Sequence, residues 1–341
     1  MNKFNTISID LAKSVFQVAV FNRHGKRKLN QAMSKKKMLT VISQHPDATI
    51  CIEACAASHY WGRTFQSRGH TVKMIPPQKV KPYRSGNKND ANDAIAIYEA
   101  SLRSDIHAVP VKTPEQQDIA MLLSLRQSYI KQRTAVSLRI RGYAAECGIT
   151  FPQGANKLRE LLPFVIEDME NELTPTTRFV LRELHAQLLN LDEPIERVES
   201  QLIDFAKQIP ACQLLITLRG VRWVIASAIF SRLGDASAYR NGRGASASLG
   251  LVPAHTGSGG KNKNHGISKS GDKTLRSLVV HGARAVVANI RDKEDRLSCW
   301  IRNLLERKSF NQVVVALANK TIRMACAMLK SNQSYNETLI A

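Results

Sequence analysis

Acidic side chains are scarce at the start of this chain. The first hundred residues hold six: Asp10, Asp47, Glu53, Asp90, Asp93 and Glu99. None lies between Asp10 and Asp47, or between Glu53 and Asp90. Carboxylates this sparse, at the ends of apolar runs, are not solubility residues. Aromatics make up only 6% of the chain, which argues against base stacking on side chains as the main mode of recognition. No apolar run approaches the ~20 residues of a membrane span. The N-terminus passes straight into a strand-like run with no signal-peptide pattern, so no membrane partner and a cytoplasmic location are expected. The six cysteines are scattered. Cys51 and Cys55 lie four apart, but no His/Cys pair follows at zinc-ligand spacing, so they read as buried thiols in a reducing compartment.

Positive charge, by contrast, is abundant. Lys and Arg number 49 against 28 Asp and Glu, for a formal net charge of +21. That balance points to a polyanionic partner, nucleic acid before all others, with backbone contacts and a steep salt dependence. The 341 residues allow two or three domains with a real core.

Periodicity predicts an α/β first section. Ile7–Ile9, Val15–Phe21 and Lys28–Ala32 read as a three-stranded meander, with a turn at Arg23-His-Gly-Lys26. Lys35–Gln44 reads as a helix, Thr49–Glu53 as a strand, Ser58–Arg68 as a helix and Thr71–Ile75 as a strand. Pro76-Pro-Gln-Lys-Val-Lys-Pro-Tyr-Arg-Ser-Gly86 reads as a basic, acid-free loop, and Asp90–Leu102 as a helix. This element order is that of a ribonuclease-H-like domain.

Residues 114–149 read as one long basic helix, opened by Pro114 and closed near Gly148. Residues 151–172 read as irregular with a short helix. A second long helix is expected from Thr176. Its apolar residues Leu184, Leu188, Leu191, Ile195, Val198, Leu202, Phe205 and Ile209 step by three and four. That is either a coiled-coil dimer seam or packing against the preceding helix, and Pro194 interrupts it. Further on, Leu214–Leu233 reads as helical around Gly220-Val-Arg222, a faint helix-hairpin-helix. His255–Gly266 reads as a glycine-rich loop, Asp272–Ile290 as a helix capped by Ser270, and Gln312–Leu329 as an apolar helix. The expected domains are 1–112, 113–210 and 211–341.

Two sets of residues carry chemistry. Asp10 and Glu53 end two apolar strands, and Asp90 and Asp93 stand at i and i+3 on one helix face. Phosphoryl transfer with divalent metal needs carboxylates clustered in this way. Taken singly, Asp90 reads as a helix cap and Asp93 as a partner of Lys88. The second set lies between Asp235 and Asp292, where the only acid is Asp272 and nine Lys or Arg occur, among them Lys261, Lys263, Lys269, Lys273 and Arg276. Glycines there let backbone amides approach phosphate. The stretch is no Walker A loop, since His255 stands where glycine is needed and Asn262 where Ser/Thr is needed. Ser258, flanked by glycines, suits a nucleophile, although composition alone favours a DNA-contacting loop.

These motifs give the chain a specific resemblance. Ile7-Ser-Ile-Asp10, Ile52-Glu53-Ala and Lys88-Asn-Asp-Ala-Asn-Asp-Ala94, followed by Leu249-Gly-Leu-Val-Pro253, Ser258-Gly-Gly-Lys261, Ile267-Ser-Lys-Ser-Gly-Asp272 and His281-Gly-Ala-Arg284, resemble the insertion-sequence-110 family of transposases. The C-terminal wording is similar to the subgroup typified by insertion sequence 1111. The resemblance runs nearly end to end. It implies a RuvC-like N-terminal domain, a helical coiled-coil middle and a mainly helical C-terminal transposase domain. Asp10, Glu53, Asp90 and Asp93 would be a tetrad for Mg²⁺ or Mn²⁺, and Ser258 would attack a DNA phosphate. The implied partners are donor and target DNA, a bridge-type guide RNA, and further copies of the chain as a dimer or tetramer, in a nucleoid-associated setting. Lys79, Lys81, Arg84, Lys88, Lys261, Lys263, Lys269, Lys273 and Arg276 are the expected nucleic-acid contacts. Two positions depart from the family pattern: Gly257 stands where a hydroxyl residue is frequent, and Arg222 where a glycine is common. The competing readings are a RuvC-like, structure-selective nuclease that uses water, and a nucleic-acid-binding scaffold without activity.

Overall fold

The structure, a computed structural model, describes residues 5–87, 89–258, 261–291 and 293–335; the side chains of Ser258, Lys261, Asn262 and Asn264 lie outside that description. The chain divides into two compact units, Met1–Pro114 and Glu115–Ala341.

The first unit is built on five strands. They are β1 (Thr6–Asp10), β2 (Val15–Phe21), β3 (Arg27–Ser34), β4 (Thr49–Glu53) and β5 (Val72–Ile75), in the sheet order β3-β2-β1-β4-β5. The first three pair antiparallel, while β4 runs parallel to both β1 and β5. Helices α1 (Lys35–Ser43) and α2 (Ser58–Gln66) link the strands. A short helix α3 (Pro77–Val80) and a 3-10 turn (Lys81–Tyr83) then lead to α4 (Asp90–Ser101). The Pro76–Gly86 stretch, expected to be a loop, is therefore partly helical. Prolines at the first turn of each piece preset φ without losing a needed donor.

Alternation along the strands decides which helix covers which face. Ile7, Ile9, Val18, Val20, Ile50 and Ile52 pack with Met38 and Ile42 of α1 and with Trp61 and Phe65 of α2. The intervening residues face α4: Cys51 and Ile75 pack with Ala96, Ile97 and Ala100, while Ala19 and Phe21 pack with Ala94 and Tyr98. The alanines bring α4 close enough for the Ser8 hydroxyl to donate to the Ala94 carbonyl at 2.6 Å.

The second unit is almost wholly helical. Its helices are α5 (Pro114–Ala145), α6 (Ala155–Glu167), α7 (Pro175–Asn190), α8 (Asp192–Lys207), α9 (Pro210–Leu215), α10 (Trp223–Leu233) and α11 (Gly242–Ser248). A hairpin of β6 (Pro253–Ser258) and β7 (Lys261–Ile267) follows, then α12 (Lys273–Ala288), α13 (Arg296–Leu305) and α14 (Phe310–Ser331). Helix α13 had no counterpart in the sequence reading.

The expected second long helix is two helices, because Pro194 cannot donate to the carbonyl of Asn190 and is tolerated only in the first turn of a new helix. The apolar seam along them is consumed within the chain. Leu184, Leu188 and Leu191 bury against Val136 and Ile140 of α5 and Leu158 and Leu162 of α6. Ile195, Val198 and Leu202 are buried as well. A dimer seam would need these side chains free, so the coiled-coil reading of this stretch gives way to internal packing.

Two further expectations are corrected. The glycine-rich stretch His255–Gly266 is a hairpin rather than a loop. Asp272, not Ser270, caps α12, accepting from the Leu275 amide at 2.9 Å. The stretch around Gly220 turns between α9 and α10 with Gly220 at φ +77°, and a Cβ on Gly220 would stand 2.7 Å from the carbonyl oxygen of Gly282 in α12. That turn therefore packs closely on a helix. Of the cysteines, Cys51, Cys212 and Cys326 are buried and Cys55 is exposed; all six are free. By length and composition α14 alone among the described helices could cross a membrane, but its apolar side chains, Val313, Val314, Leu317 and Ile322 among them, lie in the core of this unit.

Candidate active site: a carboxylate cluster at the strand ends

The register of the sheet assembles the site. Parallel pairing of Thr6 with Thr49 through Ile9 with Ile52 sets Asp10 and Glu53 side by side, at the carboxyl ends of β1 and β4. Both share strand parity with residues that face α4, so both rise toward that helix. Helix α4 starts above them. Asn89 caps it, its side chain accepting from the Asn92 amide at 2.8 Å, and Asp90 and Asp93 occupy the first turn. Negative charge is favoured there by the helix dipole.

One ligand oxygen each from Asp10, Asp90 and Asp93 lies within 4.8 Å of the others. Asp93 is buried, Asp10 half-buried and Asp90 exposed, so the cluster opens toward solvent on the Asp90 side. Glu53 meets the site through Arg84, whose Nη2 stands 3.6 Å from Glu53 Oε2 and whose Nε stands 2.7 Å from Asp93 Oδ1. Burial, followed by repulsion from Asp93, Asp90 and Glu53, pushes the Asp10 carboxyl up to about 6, against a smaller opposing pull from Arg84. A carboxyl held up by burial and then by carboxylate neighbours marks a place where positive charge is wanted. All the donors are hard oxygens, which suits Mg²⁺ or Mn²⁺. On both counts the residues present fit a divalent ion.

A polar tether holds the start of α4 to the sheet. Gln17, the antiparallel partner of Asp10, donates to Asn30 Oδ1 at 2.7 Å, and Asn30 Nδ2 donates to the Ala91 carbonyl at 3.1 Å. This tether has no motif in the sequence, because polar residues on strands read as solvent-facing until the partner helix is known.

Of the other residues assigned to nucleic acid, Lys79 and Lys81 are exposed on the α3 segment, and Lys88 lies outside the described residues. In the second unit the hairpin backbone pairs Thr256 with Lys263 and Ser258 with Lys261, although the side chains of Ser258 and Lys261 lie outside the description. Thr256 Oγ1 and His265 Nε2 share a hydrogen bond of 2.8 Å, a pairing the sequence reading missed. Lys263, Lys269 and Lys273 are exposed. Arg276 is not a free cation: its Nη1 donates to the carbonyls of Leu249 (2.9 Å) and Ser270 (2.7 Å), which ties it to the base of the hairpin. The base is tight, since a Cβ on Gly271, at φ +73°, would come within 1.9 Å of the Ser248 oxygen.

Comparison with known proteins agrees at both ends of the chain. A family described as "Transposase" matches residues 7–147, and one described as "Transposase IS116/IS110/IS902 family" matches residues 212–297. The chain is 37% identical over 335 residues to the transposase for insertion sequence element IS1111A of Coxiella burnetii, covering 98% of this chain and 92% of that one. It is 38% identical over 330 residues to a probable family 20 transposase of Pseudomonas aeruginosa, covering 96% and 98%. To the transposase for insertion sequence element IS1328 of Yersinia enterocolitica it is 34% identical over 325 residues, covering 95% and 96%.

Proposed function

The chain belongs to the IS110 family of transposases, and from that premise we propose that it exchanges DNA strands through a metal-loaded carboxylate tetrad and a serine. The observation that carries this reading is the convergence of Asp10, Asp90 and Asp93 within 4.8 Å, with Glu53 beside Asp10 on the neighbouring strand. The strand order β3-β2-β1-β4-β5, with its antiparallel meander and parallel continuation, supports a ribonuclease-H-like, RuvC-like assignment for the first unit. The proposed domains are 1–112 for this catalytic part, 113–210 for a helical connection and 211–341 for the serine-bearing part.

In this reading Asp10, Glu53, Asp90 and Asp93 hold Mg²⁺ or Mn²⁺. The bound ions would neutralise phosphate charge and act as Lewis acids on it. Lys79 and Lys81 bind the DNA backbone beside the tetrad, and Lys261, Lys263, Lys269 and Lys273 bind it around the hairpin. Arg276 serves by fixing the hairpin. The Ser258 hydroxyl gives up its proton and its oxygen bonds to phosphorus, while the DNA oxygen on the far side of that phosphorus leaves and is protonated. The resulting protein–DNA ester conserves the bond energy, so resealing onto a second strand needs no nucleotide cofactor. A guide RNA pairing with donor and target, and assembly of two or four copies on DNA, complete the proposal. The buried seam of α7 and α8 is not the surface that assembly would use.

The test is strand exchange between two DNA substrates with Mg²⁺ and the RNA transcribed from the flanking element, using wild type, Asp10→Ala and Ser258→Ala. A protein–DNA adduct that survives denaturation and disappears in Ser258→Ala supports the proposal. Cleavage that needs Asp10 but survives Ser258→Ala without an adduct would identify a water-using nuclease instead.

A further inference from the structure

We propose that Arg84 is a displaceable counter-cation that keeps the Glu53–Asp93 side of the carboxylate site closed to a second divalent ion until nucleic-acid phosphate draws it away. The inference rests on the reading of Asp10, Glu53, Asp90 and Asp93 as metal ligands.

The site is asymmetric. Asp10, Asp90 and Asp93 bring oxygens within 4.8 Å of one another, and an ion entering from the exposed Asp90 side meets those carboxylates directly. On the other side a cation is already resident. Arg84 Nε stands 2.7 Å from Asp93 Oδ1 and its Nη2 3.6 Å from Glu53 Oε2. An ion shared between Glu53 and Asp93 would have to sit where the guanidinium sits, or bear its positive charge within a few ångströms.

The contact is also an ion pair at the edge of solvent. Arg84 Nε and Asp93 Oδ1 are themselves shielded, 2.7 Å apart. The Arg84 side chain remains 30% exposed, which leaves it a way out. It extends from the segment after the Lys81–Tyr83 turn, whose exposed Lys79 and Lys81 stand in an acid-free run. A DNA backbone bound by those lysines offers Arg84 a phosphate, which a guanidinium grips with paired donors. Arg84 would then no longer stand between Glu53 and Asp93. Loading of the second ion is thereby coupled to substrate.

The experiment is a Mn²⁺ titration of the full-length protein by calorimetry and by electron paramagnetic resonance of free Mn²⁺. It is run with and without a short duplex DNA, subtracting the ions bound by DNA alone, on wild type, R84Q, R84K and Asp10→Asn/Asp93→Asn. The expected result is one tight ion on wild type without DNA and a second when DNA is present. In R84Q the second ion binds without DNA, at least about tenfold tighter than on wild type, while R84K behaves as wild type. Far-UV circular dichroism establishes that R84Q is folded, and R84K separates loss of charge from loss of the side chain. The inference is overturned if R84Q and wild type titrate identically while Asp10→Asn/Asp93→Asn loses binding; in that case the tetrad reading stands and only the role of Arg84 falls. If the double variant binds Mn²⁺ as wild type does, or if no ion binds at all, the tetrad reading itself falls.

Discussion

Arg84 places its Nε 2.7 Å from Oδ1 of Asp93, beside the carboxylates of Asp10, Asp90 and Glu53. Asp93 is the most buried of the four acids, and burying it against Asp10 and Asp90 carries a cost that one cation offsets in part. The pair explains how the fold tolerates so much like charge before any ion binds.

Replacing Asp10 or Asp93 by Asn keeps shape and removes charge. Each is expected to weaken Mn²⁺ binding and to reduce DNA cleavage by about 10²-fold or more, on the scale of losing one electrostatic contribution to the transition state. Calorimetry and a gel-based cleavage assay measure the two effects. Undiminished cleavage by Asp10→Asn would remove that residue from the site.

The metal-free protein should respond to pH in a definite direction. The folded Asp10 carboxyl is raised to about 6 from an ordinary value of 3.8. The folded state therefore holds a proton that the unfolded state releases, and this stabilising contribution, complete below pH ~4, is lost as pH rises through ~6. Divalent metal opposes the loss by neutralising the carboxylates. Thermal melts should show a larger rise in Tm on adding Mn²⁺ at pH 7.5 than at pH 5; an equal rise at both would contradict the assigned cluster.

Removing the tether should act through position alone. Asn30→Ala breaks the link from Gln17 to the Ala91 carbonyl that holds the first turn of α4. A loss of about 1–3 kcal/mol of stability is expected, with weaker Mn²⁺ binding although every ligand remains. Urea unfolding and calorimetry on the same protein would separate the two; unchanged metal affinity would relegate the tether to stability only.

The hairpin offers two hydroxyls, and the covalent adduct tells them apart. Thr256 is hydrogen-bonded to His265, a geometry in which a base could serve a nucleophile. The proposed nucleophile is nonetheless Ser258, so Thr256→Val should retain the adduct and Ser258→Ala should lose it. The reverse pattern, read on denaturing gels, would transfer the role to Thr256.

The α7–α8 seam predicts a stability effect rather than an assembly effect. Leu188 is fully buried within one chain. Leu188→Ala should lower stability by about 2–5 kcal/mol and leave the oligomeric state of the folded protein unchanged by light scattering.

The local rules of the chain were open to reading from the sequence. Strand alternation, helix periodicity and turn residues marked the elements of the first unit to within a few residues. The rarity of acids in a basic background singled out Asp10, Glu53, Asp90 and Asp93, because composition and spacing are properties of the chain alone. The break of the seam was also signalled, by Pro194. What needed the tertiary structure was every relation between distant residues. The in-register pairing of β1 with β4 decided that Asp10 and Glu53 stand together. The crossing of α4 over the sheet decided that Asp90 and Asp93 join them, and the backtracking of the Pro76–Gly86 segment decided that Arg84 lies among them rather than out in solvent. The same holds for the apolar seam, whose period fits an internal helix as well as a second chain until the partner is seen. Sequence encodes the periods and the charges. Which surfaces meet is settled by burial of apolar area and pairing of charge across the whole fold, and no local pattern carries that information.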